Sequence, residues 1–161
     1  MEKKEYFQDF MPGNVCFGCG RDNHDGLQIS SYWDGEEAVC TWHSQEKYQG
    51  WKNILNGGIL ASLIDCHCMG TAMAAAYRAE GRRLDSMPEY RYATGTMTVK
   101  YLAPTPNDKA VELRASVSEM KERKVTLKCI VQSEGVITVE AEVIAIKVFD
   151  SSKDNNNLFA G

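Results

Sequence analysis

Charge is almost missing from the middle of this chain. Between Lys52 and Arg78 the only Asp, Glu, Lys or Arg is Asp65, set inside the run ILNGGILASLIDCHCMGTAMAAAY at 54–77. A lone carboxylate in so apolar a stretch is costly if unpaired, because burial disfavours its charged form. Its retention there points to a use. A basic excess is also missing: 18 Lys and Arg stand against 22 Asp and Glu. A net charge of −4 argues against a general nucleic-acid binder, which would carry a basic face. The first ten residues, MEKKEYFQDF, lack an apolar core of the kind that export signals carry. A cytoplasmic protein is therefore expected. A second CxxC and an HxxxH are both lacking, which leaves Cys16-x-x-Cys19 with His24 short of the four ligands of a structural zinc site. Cys66, His67 and Cys68 are the other candidates, but adjacent helical residues point in different directions. No metal and no cofactor are expected. The six cysteines read as reduced thiols, several buried as small apolar residues.

The apolar run is long enough to suggest a membrane span. A Gly-Gly pair near its start and an acid at its middle oppose that reading. It reads instead as one long helix from Asn56 to about Arg78. Asn56 is a favourable N-cap, and Ile59, Leu60, Leu63, Ile64 and His67 share a face. A helix apolar all round is buried on most sides, as when a sheet wraps it.

Around this helix the pattern is β. Residues 27–33 and 37–42 read as strands flanking the turn Asp34-Gly35. After a polar loop at 79–93, strands are expected at 94–102, around 111–117, around 125–131 and at 136–148. Close spacing makes them antiparallel. The result is an α+β domain with one long central helix on a curved antiparallel sheet of five to six strands. Residues 1–13 are expected to form an arm or short helix, 14–149 the domain, and 150–161 a disordered tail.

A helix that starts on Gly-Gly with a carboxylate two turns further in suggests acyl transfer. The first N–H groups of a helix lack internal partners and carry the positive end of its dipole. A carbonyl oxygen resting on the Gly57 N–H is stabilised where charge develops, and one such donor is worth roughly 3–4 kcal/mol. Asp65 lies roughly 12 Å further along at 1.5 Å per residue. Within one chain that separation is awkward. Two helices packed antiparallel about a two-fold axis bring Asp65 of one to Gly57 of the other. A homodimer with shared sites is expected, with a dimer of dimers as a further assembly.

Three segments carry a resemblance. They are Cys16-Phe-Gly-Cys-Gly20 with Asn23 and Gly26-Leu27; Tyr48-Gln-Gly50-Trp51 with Asn56-Gly57-Gly58-Ile59-Leu60 and Leu63-Ile-Asp65; and Thr94-Gly-Thr96 with Val99-Lys-Tyr101-Leu-Ala-Pro104. In this order they resemble the PaaI-like branch of the hotdog-fold thioesterases. The resemblance implies an acyl-CoA substrate, with Asp65 as general base or nucleophile and Gly57 as carbonyl donor. Asn56 stands where that family usually has His. Asn can donate and accept hydrogen bonds but does not titrate near neutrality. Gly58, Thr94, Gly95 and Thr96 are the expected substrate contacts. The alternative is a non-hydrolytic hotdog protein that binds acyl-CoA or acyl-carrier thioesters; a hotdog dehydratase would need a His–acid pair that this chain does not offer.

Bland readings compete at several positions. His67 reads as a satisfied core or interface histidine. Ser62 and Thr71 read as helix residues bonded back to their own turn. No local signature supports a Cys–His nucleophile pair made from Cys66 or Cys68 with His43 or His24. Arg82-Arg83 and Lys121 to Lys124 could meet CoA phosphates, but charge runs usually face solvent.

Overall fold

The computed structural model describes residues 2–153 and 156–160. Its six strands are β1 (Tyr32–Asp34), β2 (Glu37–His43), β3 (Tyr90–Tyr101), β4 (Ala110–Lys121), β5 (Lys124–Ser133) and β6 (Val136–Asp150). The helix α1 (Gly57–Ala79) separates β2 from β3. The strands form one sheet in the order β1-β2-β4-β5-β6-β3, every neighbouring pair antiparallel. β4, β5 and β6 alternate as their sequence does. Val111, Leu113, Ala115, Val125, Leu127, Val131, Val139, Val143 and Ala145 are buried against α1, and the residues between them face outward. Positive φ at Glu134 and Gly135 makes the tight β5–β6 turn.

α1 is long and apolar enough to cross a bilayer, yet most of that stretch is buried inside this chain. Leu60, Leu63, Ile64, His67 and Cys68 face the sheet. Gly58, Ser62, Asp65 and Met69, spaced as i, i+4, i+7 and i+11, form the stripe left partly or fully exposed.

The N-terminal segment docks rather than trails. Phe7–Phe10 forms a 3-10 turn, and Phe7 is fully buried beside Trp33, with ring centroids 5.2 Å apart. Gln8 passes over α1 at Gly70, where a Cβ would lie 2.8 Å from Gln8 Nε2. Glycine at that point lets the arm reach the helix.

Strand bounds differ most from the sequence reading in two places. Residues 27–31 are not a strand, because Gln28 takes a φ of +55° and breaks the extended run. Leu27 and Ile29 donate instead to Phe17 and Gly18 of the loop. β3 begins at Tyr90, inside the stretch read as a polar loop, because β6 runs on to Asp150 and supplies a partner. The C-terminal expectation falls partly on 154, 155 and 161, which lie outside the described residues. In the neighbouring stretch, Asn157 Nδ2 donates to the Val148 carbonyl at 2.9 Å.

Candidate active site

The segment before α1 fixes where the helix begins. Asn56 N–H donates to the Tyr48 carbonyl (3.0 Å) and Leu55 N–H to the Thr105 carbonyl (2.9 Å). Asn56 is the N-cap. Its Oδ1 accepts from the N–H groups of Gly58 (2.8 Å) and Ile59 (3.2 Å). A Cβ on Gly58 would lie 3.0 Å from that oxygen, so glycine leaves room for the cap. The cap uses two of the free N–H groups of the first turn. The Gly57 N–H has no partner among the described residues. Tyr101 Oη donates to the Gly57 carbonyl at 2.7 Å and ties the helix start to the end of β3. Sequence reasoning placed Tyr101 in a motif but gave it no role, since only strand register brings residue 101 to residue 57.

Two turns on, Asp65 is half-buried. Thr94 Oγ1 donates to Asp65 Oδ1. The β3–β6 register slips between Thr94 and Thr96, leaving Gly95 as the extra residue of a bulge. A Cβ there would lie 2.9 Å from Ile146 Cγ1 and 3.3 Å from the Ile144 carbonyl, so the bulge accepts only a small residue. Bulges re-aim neighbouring side chains, and this one stands at the residue that holds the acid. Thr96 is exposed on the same strand. Asp65 and Thr94 together line a cleft of about 460 Å³ whose other walls include Phe10, Met11, Met69, Met73 and Tyr92. An apolar cleft of this size with the Asp65 carboxylate on its wall suits an apolar group attached to a polar reacting centre.

The competing candidates fall elsewhere. Ser62 Oγ donates to the Gly58 carbonyl (2.9 Å) and Thr71 Oγ1 to the His67 carbonyl (2.7 Å), each back along its own helix. His67 is fully buried. Its Nε2 donates to the Ala38 carbonyl (3.1 Å) and its Nδ1 accepts from Ser31 Oγ (2.8 Å), which fixes one neutral tautomer. Burial pushes its pKa down to about 4. His24 and His43 are exposed, whereas Cys68 is fully buried and meets Cys129. Arg82 lies over the Tyr77 ring and pairs with Glu80, and Lys121 pairs with Glu119. The thiols of Cys16, Cys19 and Cys66 come together, all within 4.8 Å of one another. His24, His67 and Cys68 do not join them.

A comparison with family models matches residues 52–140 to the thioesterase superfamily. A comparison with curated proteins finds no match. Among solved structures, the chain is 30% identical to a thioesterase superfamily protein from Shewanella loihica, over 75% of this chain and 91% of that one, with a TM-score of 0.63. It also overlays the E. coli PaaI protein from the phenylacetic acid degradation operon at 13% identity (77% and 82% of the chains, TM-score 0.62). A thioesterase-like protein from Streptococcus pneumoniae, solved with coenzyme A, matches at 11% identity (72% and 84%, TM-score 0.59). These last two share the fold, one helix laid in a curved antiparallel sheet, which is the hotdog fold. The family match spans more than half of the sequence and takes in both ends of α1; the chain belongs to the thioesterase superfamily.

Proposed function

We propose that this protein hydrolyses an acyl-CoA thioester to the free acid and CoA, with Asp65 as the catalytic acid–base or nucleophile. The observation that carries the proposal is the carboxylate itself: half-buried, at the wall of an apolar cleft, with one oxygen held by Thr94. The hydroxyl of Thr94 occupies Oδ1, which leaves Oδ2 for a water or for the thioester carbon. In the general-base course, Asp65 takes a proton from water as its oxygen adds to the carbonyl. The tetrahedral intermediate then collapses, and the proton passes to the departing CoA sulfur. In the nucleophilic course, Asp65 adds to the carbonyl and the C–S bond breaks to expel the CoA thiolate; water then cleaves the resulting anhydride to the free acid and the Asp65 carboxylate. Both need the acid at the same place. The acyl group occupies the cleft beside Met69 and Met73, whose flexible side chains adapt to different shapes. The coenzyme A held by the pneumococcal structure supports CoA as the carrier.

The donor to the oxyanion is the Gly57 N–H of a second copy. It is roughly 12 Å from Asp65 within one chain, at 1.5 Å per residue. Two features support the pairing. β3 is a 12-residue edge strand, and a long open edge invites a partner strand. The exposed stripe of α1 holds Asp65 on the same side of the molecule as that edge, as the Thr94 hydroxyl on Asp65 shows. Pairing β3 with β3 about a two-fold axis would lay the two helices antiparallel.

Hydrolysis of a panel of short, long and aromatic acyl-CoAs tests the reading. CoA release is followed by chromatography, because six cysteines would consume a thiol reagent. Asp65→Asn is expected to lower kcat by about 100-fold or more while binding persists. The second reading, a non-hydrolytic binder of acyl thioesters, is favoured by Asn56: its side chain is committed to the cap, and no titrating group replaces the family's His. Binding without turnover in the wild type would establish that reading instead.

A further inference from the structure

Three of the six thiols converge on a wall of the cleft, and no step of the proposed hydrolysis uses them. Cys16 and Cys19 come from the loop before β1, and Cys66 from α1, one residue past Asp65. Their sulfurs lie within 4.8 Å of one another, and Cys16 Sγ is 3.6 Å from Cys66 Sγ. Thiolates at 2.3 Å from a tetrahedral zinc ion stand about 3.8 Å apart. A disulfide requires about 2.05 Å. The Cys16–Cys66 separation is close to that of two thiolates sharing an ion, and all three sulfurs are near enough to one another to reach one.

The loop is shaped around its first sulfur. Gly18 N–H donates to Cys16 Sγ at 3.4 Å, and the Cys19 N–H points to the same sulfur. Asn14 Oδ1 accepts from Cys16 N–H (3.0 Å), and Asn14 Nδ2 donates to Cys19 Sγ (3.4 Å). A Cβ on Gly18 would lie 2.4 Å from Cys66 Sγ, and one on Gly20 would lie 2.4 Å from Cys16 N. Both glycines are therefore needed to wrap the loop onto the helix. N–H groups aimed at sulfur favour thiolate and orient it, as outer-shell donors do in metal sites.

We infer that Cys16, Cys19 and Cys66 form a three-thiolate zinc site whose fourth position opens on the cleft lined by Asp65. All three residues line that cleft. Zinc suits the donor set, because thiolates select soft and borderline ions. Binding involves no redox step: the protons still on the three thiols pass to solvent as three Zn–S bonds form. The ion ties the 14–20 loop to α1 beside Asp65 and so fixes one wall of the cleft.

The test uses the 161-residue chain without a tag, kept reduced and stripped of metal by a chelator. Zn²⁺ is titrated against a colorimetric chelator, and Co²⁺ is added to a parallel sample. One equivalent of zinc per chain, a rise in Tm on zinc addition and a thiolate-to-cobalt charge-transfer band are expected. Cys16→Ser and Cys66→Ser should each weaken zinc binding by at least about 100-fold, the upper end of what losing an outer-shell partner costs. Cys16 lies on the half-exposed loop, so its variant keeps the fold, checked by circular dichroism. Cys129→Ala, outside the cluster, should retain binding. The inference is overturned by a folded wild type that holds no zinc, by unchanged zinc binding in Cys16→Ser, or by binding of Cu⁺ without Zn²⁺. A disulfide among the three in protein that holds no zinc after reduction would overturn it too.

Discussion

Asp65 and His67 lie two residues apart on one helix and have opposite fates. Asp65 falls on the stripe the sheet does not cover and meets the Thr94 hydroxyl. His67 falls on the covered face and sits in a chain of bonds. Gln8 Nε2 donates to Ser31 Oγ (3.1 Å), Ser31 Oγ to His67 Nδ1, and His67 Nε2 to the Ala38 carbonyl. With every polar atom of the ring satisfied, the neutral form is favoured and the imidazolium has no place. The unfolded pKa is about 6.5, and burial lowers the folded value to about 4. At acid pH the unfolded chain therefore binds a proton that the folded chain refuses. This contribution to stability is complete above pH 6.5 and is lost as the pH falls from there toward 4, about 3 kcal/mol in all. Urea midpoints measured between pH 7 and pH 4.5, with chelator present, should decline in the wild type. In His67→Gln they should be flatter across that window; an equally steep decline in the variant would remove His67 as the cause.

At the scale of elements, the start of α1 performs two tasks with adjacent residues. Asn56 supplies the cap, and Gly57 keeps an N–H without a partner among the described residues. Asn56→Ala should destabilise the fold by about 1 kcal/mol, and Asn56→Asp should keep the cap; chemical denaturation distinguishes them. Gly57→Pro separates the tasks. Proline suits the first helical position, where its missing N–H is otherwise unpaired. Asn56 is already extended, at φ −61° and ψ 133°, as a residue before proline must be. The variant should keep its Tm yet lose about 10²- to 10³-fold in kcat, the cost of one oxyanion donor. Full activity in a folded Gly57→Pro protein would remove that N–H from the chemistry. On the opposite side, the Gly95 bulge turns Thr94 toward Asp65, so one small residue in β3 sets the orientation of the acid on α1.

For the whole molecule, the question is whether one site needs two chains. Mixing Asp65→Asn with Gly57→Pro answers it. If each site takes Asp65 from one chain and Gly57 from the other, a mixed dimer holds one site with both defects and one with neither. Two inactive proteins should then regain activity on co-expression, up to about half of the wild-type rate per mixed dimer. If both groups act from one chain, every site keeps a defect and no activity returns. Size-exclusion chromatography with light scattering gives the assembly in the same samples.

The sequence by itself determined the elements whose signal is local. Alternation at 111–117 and 125–131 marked β4 and β5, and Asn56-Gly-Gly marked the helix start. The isolation of Asp65 marked it as the candidate acid, because a lone charge in an apolar run stands out without any knowledge of the fold. Only the tertiary structure decided what depends on distant segments. The reach of β3 back to Tyr90 depends on a partner strand about 60 residues later in the chain, at Asp150. The bond from Thr94 to Asp65 and that from Tyr101 to Gly57 depend on the register of β3 beside α1. The meeting of Cys66 with Cys16 and Cys19 spans some 50 residues and follows no spacing rule. Local patterning records which face of an element avoids water; it does not record which other element will cover that face. That pairing is fixed when the sheet closes around the helix, and it brings together the acid, its hydroxyl partner and the three thiols.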